Sequence, residues 1–252
     1  MQIVPAKCTE CGGMLQVDQE KDAAVCSHCN TPFIIEKAIN NYISVAGKND
    51  FEIRAGSLAK YNGAAVDVII PDNILHIGKG AFKDCIGLQS VVIPDGVTSI
   101  GDRAFWDCRG LTEITIPEGV TTIEEFAFSR CTGLTTIIIP ASVTSIAGGV
   151  FSYCTGLTEI TIPDSVTSIR IYAFVGCTGL TEITILDSVT SIGDSAFADC
   201  TGLTEIIIPD SVAFIGKSAF SGCSNLHTVI MLGTPELGRD IFKNTPYGNN
   251  QK

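Results

Sequence analysis

The sequence predicts a mainly β chain: a solenoid of about seven stacked 23-residue turns, preceded by a small four-cysteine module. Three observations carry this expectation. Cys85, Cys108, Cys131, Cys154, Cys177, Cys200 and Cys223 follow one another at a fixed interval of 23 residues, and a strict period of that size marks stacked supersecondary units. Within each interval apolar residues recur with the spacing of Leu111, Ile114 and Ile116, the alternation of a strand with one face buried. Four further cysteines stand outside the period as Cys8-x2-Cys11 and Cys26-x2-Cys29.

The head comes first, over residues 1–39. Each Cys-x-x-Cys can form a knuckle that points two thiolates at one centre, and two knuckles supply the four sulfurs of a tetrahedral zinc site. Gly12, Gly13 and Asn30 tolerate the positive φ that knuckles demand. Met14-Leu15-Gln16-Val17 and Ala23-Ala24-Val25 read as short strands around the polar turn 18–22, and Pro32-Phe33-Ile34-Ile35 as a closing strand. The segment resembles the zinc-ribbon family, with a gap between the cysteine pairs one residue shorter than usual. The predicted ligands are Cys8, Cys11, Cys26 and Cys29, and the Zn2+ is structural, because four protein ligands leave no open position for water. A redox Cys-x-x-Cys would come singly beside a βαβ unit, and His28 reads as a solvated knuckle residue. A domain this small would draw most of its folding free energy from the metal. Residues 40–50 read as a linker.

The solenoid follows. Residues 51–70, with Phe51-Glu52-Ile53, Tyr61-Asn62-Gly63 and Val66-Asp67-Val68-Ile69-Ile70, read as a hairpin cap. Residues 71–231 hold the repeats. In the unit from Pro94 to Ile116, Pro94-Asp95-Gly96 is a turn whose Asp can bond nearby backbone N–H groups. Val97 and Ile100 form a second inward pair, on a short strand. Phe105 recurs as Phe82, Phe128, Phe151, Phe174, Phe197 and Phe220, which predicts a continuous buried aromatic column. The seven periodic cysteines predict a parallel column of free, buried, poorly reactive thiols. Stacked strands should form one parallel sheet, roughly 35 Å long at ~4.8 Å per strand. Residues 232–252 read as a degenerate closing turn and tail that keep Ile241-Phe242.

The pattern Leu-Thr-Glu-Ile-Thr-Ile-Pro-x-x-Val-Thr-Ser-Ile-Gly-x-x-Ala-Phe-x-x-Cys resembles the BspA-like leucine-rich repeats of bacterial and protist proteins, over about two-thirds of the chain. The resemblance implies a leucine-rich-repeat solenoid that works by protein–protein interaction. Leu186 departs from it at a proline position, Glu124, Ala147 and Arg170 at a glycine position, and Val150 at the small alanine. These changes should disturb turn geometry in the middle turns without breaking the period.

Charge and inventory narrow the function. The formal charge is −11, and residues 71–231 carry 17 Asp or Glu against 7 Lys or Arg. Such a surface repels phosphate backbones, so nucleic acid is an unlikely partner of the repeats. The head has no Arg and more acids than bases, which leaves a nucleic-acid-associated regulator as a weaker alternative. Three histidines lie far apart in the sequence, and no phosphate loop or nucleophile elbow is present; the chain reads as a non-enzyme. Asp72, Asp95, Glu118, Asp164, Asp187 and Asp210 recur at the turns, but one carboxylate per turn is thin for the ~6–8 oxygen ligands of calcium.

The outward strand positions offer the better candidate. Glu113, Thr115, Thr136, Glu159, Thr161, Glu182, Thr184 and Glu205 form Thr/Glu columns that keep the sheet soluble. The same columns make an acidic strip for a protein or basic peptide. The expected protein is a monomeric interaction scaffold. With no secretory apolar core near Met1 and no run of ~20 apolar residues, the expected location is cytoplasmic, without a membrane span. A cell-surface adhesin exported by a non-classical route is the alternative that the family resemblance suggests.

Overall fold

The computed structural model describes residues 50–250 in full, together with the backbone of four short strands before them. The chain divides into two compact units, Met1–Asp50 and Phe51–Lys252. In the first, Ile3–Lys7 pairs antiparallel with Met14–Asp18, and Ala23–Val25 with Pro32–Ile34. Each pair thus closes over its own Cys-x-x-Cys segment, and the strands that flank the polar turn 18–22 pair with other partners. Cys8, Cys11, Cys26 and Cys29 themselves lie outside the described residues.

The second unit is a β solenoid of about eight turns, one more than the seven expected. The extra turn was hidden because Phe242 follows Phe220 one residue short of the period and its turn has no cysteine. The antiparallel hairpin Phe51–Arg54/Ser57–Tyr61 starts the stack, and its second strand pairs in parallel with His76–Ile77. From there most turns contribute two strands, a longer one and a short one.

The longer strands, such as Glu113–Thr115 and Glu159–Thr161, bury their middle residue and expose its neighbours. They form three parallel groups rather than one sheet: Asp67–Ile69 with Ser90–Val92 and Glu113–Thr115, Thr136–Ile138 with Glu159–Thr161, and Glu205–Ile208 with Thr228–Met231. Strands of about three residues share too few rungs to hold a ladder through every small rotation between turns. Residues 182–184 form no strand at all. Their turn carries Leu186 in place of proline, and the buried Ser188 hydroxyl has no partner. Its counterparts Ser165 and Ser211 donate to the carbonyls of Val143 and Val189 at 2.6 and 2.9 Å.

The core consists of columns. Phe82, Phe105, Phe128, Phe151, Phe174, Phe197 and Phe220 are fully buried or nearly so, with neighbouring rings stacked at 4.9–5.9 Å between centroids. Tyr61 tilts onto Phe82 by 33° at one end, and Tyr247 meets Phe242 edge-on at 76° at the other. A short helix, Pro246–Asn249, follows the last ring of the column, its N-cap Thr245 accepting the Gly248 N–H at 2.9 Å. Cys108 to Cys223 are buried beside the rings, and Cys85 is partly so.

Candidate interaction surfaces

Every turn is closed by an arc between its short strand and its cysteine, and that arc has an unusual backbone. Two residues per arc take positive φ, for example Arg103 at 54° and Asp107 at 62°, Phe126 at 56° and Arg130 at 62°. The same two positions are glycine at Gly149 and Gly176, at 62° and 72°. The left-handed region costs an L-residue about 1–2 kcal/mol; here it lets alternate N–H groups face the next turn. Arg103, Phe105 and Asp107 donate to the carbonyls of Glu125, Ala127 and Ser129 at 3.0, 2.8 and 2.8 Å. The arc side chains stack outside. The Arg103 guanidinium lies 4.9 Å from the Phe126 ring, Lys83 lies 4.8 Å from Trp106, and Arg130 sits 5.6 Å from both Trp106 and Tyr153. Sequence reading missed this arc, because the positive-φ positions hold Asp, Arg, Phe, Tyr, Ser and Asn in turn and so carry no constant side-chain signal.

The cysteines act as regular donors. Cys108, Cys131, Cys154, Cys177, Cys200 and Cys223 each donate S–H to the phenylalanine carbonyl of the preceding turn, at 3.0–3.2 Å. Burial pushes the Cys154 and Cys223 thiols up to about 12, from the usual value near 9, and pushes Cys131, Cys177 and Cys200 well up. Such groups stay protonated and offer no nucleophile. The turn acids, which the sequence reading expected to bond nearby backbone N–H groups, are exposed. Their side chains do not hold the turns, which close through backbone bonds such as Val97 N–H to Pro94 C=O at 3.0 Å. Glu118 reaches instead to the next turn, accepting from the Ala141 N–H at 3.2 Å. Among the described residues no cluster of acids, cysteines and histidines could hold a metal ion.

Glu113, Thr115, Thr136, Glu159, Thr161 and Glu205 all point outward from the longer strands and are exposed, and Glu182 and Thr184 are exposed on the segment that forms no strand. Pairing registers set Thr136 against Glu159 and Thr161 against Ile138. One column carries Glu113, Glu159, Glu182 and Glu205, and its neighbour is β-branched throughout, including Ile138, Ile207 and Ile230, which are 74%, 49% and 44% exposed. A flat strip of this kind can bind by charge and apolar contact but provides no convergent groups for catalysis.

The short strands hold a second surface that the sequence did not predict. They form two five-stranded sheets, with a break between Thr122–Ile123 and Ser145–Ile146. Here a cleft of about 500 Å³ opens, lined among others by Asp102, Glu124, Glu125, Thr144 and Arg170. The reason lies one residue past each short strand. That position is glycine at Gly78, Gly101, Gly193 and Gly238, where an added Cβ would lie 2.5–2.9 Å from backbone of the preceding turn. Glu124, Ala147 and Arg170 fill three successive turns instead. Glu124 keeps its bond to the Ile100 carbonyl at 2.8 Å, and the ladder opens only at the next junction, between Glu124 and Ala147. Arg170 keeps its bond to the Ile146 carbonyl at 2.9 Å. On the far side of the core, the Phe128–Phe151 spacing of 5.9 Å is the widest in the column.

Comparison with known proteins places this geometry among repeat proteins. The BspA type leucine rich repeat region, in six copies, matches residues 56–174 and 144–249. A leucine-rich repeat protein from Bacteroides ovatus is similar at 26% identity and TM-score 0.62, over 97% of this chain and 67% of its own. A T. pallidum leucine rich repeat protein is similar at 25% identity and TM-score 0.56, over 80% and 89%. A leucine rich cell surface protein from Faecalibacterium prausnitzii is similar at 28% identity and TM-score 0.51, over 77% and 78%. A search of curated proteins gave no match.

Proposed function

Because the chain belongs to the family of BspA type leucine rich repeat regions, we propose that it is a monomeric, non-catalytic scaffold that binds a protein or basic peptide on its exposed Thr/Glu columns. The observation that carries this is the unbroken exposure of Glu113, Thr136, Glu159, Glu182 and Glu205 along one face, beside the exposed isoleucines. Opposite charge on a partner would relieve the repulsion of stacked carboxylates, on the order of 1 kcal/mol per pair in water, while the apolar neighbours supply buried area. Peptides selected from a random display library on the wild-type protein should be rich in Lys and Arg. They should lose binding to the Glu159→Lys/Glu182→Lys/Glu205→Lys variant, and undiminished affinity for that variant would reject the strip.

The head adds a structural zinc in this reading, held by Cys8, Cys11, Cys26 and Cys29. Support comes from the two hairpins that bracket the cysteine pairs in the chain. Elemental analysis should find about one zinc per chain, and none after Cys8→Ser/Cys26→Ser. A chain purified from zinc-containing medium without the metal would exclude the site.

For location, no helix among the described residues is long and apolar enough to cross a membrane, and the cytoplasm is the primary reading. The similarity to a cell surface protein favours a second one, an adhesin that uses the same strip. Protease treatment of intact cells separates them: loss of the protein marks the surface, survival marks the interior.

A further inference from the structure

We propose that the cleft between Thr122–Ile123 and Ser145–Ile146 is a second binding site, for a short extended segment of a cationic polypeptide. It lies on the short strands, so it stands or falls apart from the Thr/Glu columns of the longer ones.

The argument starts from rungs that every other junction makes. Thr121 N–H donates to Thr98 C=O at 3.0 Å, Thr167 N–H to Thr144 C=O at 3.0 Å, and Thr190 N–H to Thr167 C=O at 2.8 Å. A second rung follows the strand: Glu124 N–H to Ile100 C=O at 2.8 Å, Arg170 N–H to Ile146 C=O at 2.9 Å, Gly193 N–H to Ile169 C=O at 2.8 Å. Threonine hydroxyls repeat the first rung, as from Thr121 to Thr98 C=O and Thr190 to Thr167 C=O. At the cleft all of these are missing. The Thr144 and Ala147 N–H groups have no protein partner, nor do the Thr121 and Ile123 carbonyls.

Two facing strand edges with unmade rungs form a template for added backbone. Each edge of a parallel ladder presents both donors and acceptors, so the unmade groups on the two walls can pair with a single extended segment running parallel to both. Thr144 to Ala147 spans three to four residues of strand. The volume of about 500 Å³ falls within the ~300–1,000 Å³ of ordinary ligand clefts.

Charge selects the side chains. Asp102 is already held by Lys79 and Arg103, each at 2.8 Å. Glu124 has no cation partner; its carboxylate accepts the Asp102 N–H at 2.8 Å. Glu125 faces the Arg170 guanidinium at 3.9 Å across two turns, with both side chains more than half exposed. The mouth of the cleft therefore accommodates a guanidinium beside a carboxylate and leaves one carboxylate free. An arginine or lysine on the incoming segment would meet Glu124 and compete with Arg170 for Glu125.

The glycine rule supplies the test. The variant Glu124→Gly/Ala147→Gly restores the close-approach residue and should close the cleft. The variant Glu124→Gln removes charge but keeps the Cβ. The probe is an acetylated, amidated hexapeptide alternating arginine with valine, with a glutamate–valine hexapeptide as control. The arginine peptide should bind the wild type and slow amide exchange at Thr144 and Ala147. Binding should weaken severalfold in Glu124→Gln and vanish in the double glycine variant, whose Thr144 and Ala147 amides should be protected without peptide. Equal binding to the closed variant, equal binding of the glutamate peptide, or protection confined to the longer strands would each overturn the proposal. So would absence of binding to the wild type.

Discussion

The Cys154 thiol donates to the Phe128 carbonyl at 3.1 Å and lies wholly inside the solenoid. That position has a consequence for pH. The folded thiol holds its proton to about 12, as does Cys223, whereas an unfolded cysteine loses it near 9. Because the folded value is raised, the stability that these thiols contribute is complete below pH 9 and is lost as pH climbs from 9 toward 12. The expected slope is roughly 1.4 kcal/mol per pH unit for each such thiol. Urea unfolding at pH 8 and pH 10.5 measures it, and Cys154→Ala/Cys223→Ala should flatten the fall. With a disulfide reagent at neutral pH, Cys85 should react ahead of the six buried thiols of the column; uniform rapid labelling would contradict their burial. The identity of these columns was legible in the sequence, because one side chain repeated at a fixed period must meet its own copy in the next turn. The positive-φ residues were not legible, since Asp84, Arg103, Phe126 and Tyr172 share a backbone state and no chemistry.

At the scale of the strand, spacing between turns is set by what stands at the close-approach position. A Cβ on Gly193 would lie 2.5 Å from the Ile171 nitrogen, whereas one on Gly87 would meet nothing within 4 Å. Gly193→Ala should therefore cost about 1–3 kcal/mol through overpacking against backbone, and Gly87→Ala should be neutral or stabilising by up to ~1 kcal/mol. Chemical denaturation of the two variants checks the contrast. Hydrogen exchange gives an independent view: in the free protein the Thr144 and Ala147 amides should exchange faster than those of Thr167 and Arg170, which keep their rungs. Glu124, Ala147 and Arg170 were visible as departures in the sequence. Which junction yields was not, because that depends on backbone distances between turns and on where strain collects. The continuous sheet expected from the strand pattern was too strong for a similar reason, as alternation identifies inward faces but does not ensure that three-residue strands share rungs.

Over the whole solenoid, each turn touches mainly its neighbours, so stability is close to a sum over turns and their junctions. A buried ring in mid-stack should matter more than one near the end. Phe174→Ala should cost about 3–5 kcal/mol, and Phe242→Ala, at a partly exposed position, clearly less; urea midpoints compare them. The eighth turn and the two tyrosines complete this picture. Phe51 and Tyr61 lie tilted at 43° and 33° in turn before the stacked rings begin, and Tyr247 lies edge-on to the last, so the parallel stack of rings is broken at both ends. The two ends thereby separate length from identity. A copied 23-residue unit inserted in the interior would find the same ring, thiol and carbonyl above and below it, while the ends stayed as they are. Each such duplication would lengthen the molecule by one strand spacing, ~4.8 Å, and add one register mark to its exposed face. Repeat number in this chain is thus a dial that gene duplication can turn without redesigning the fold.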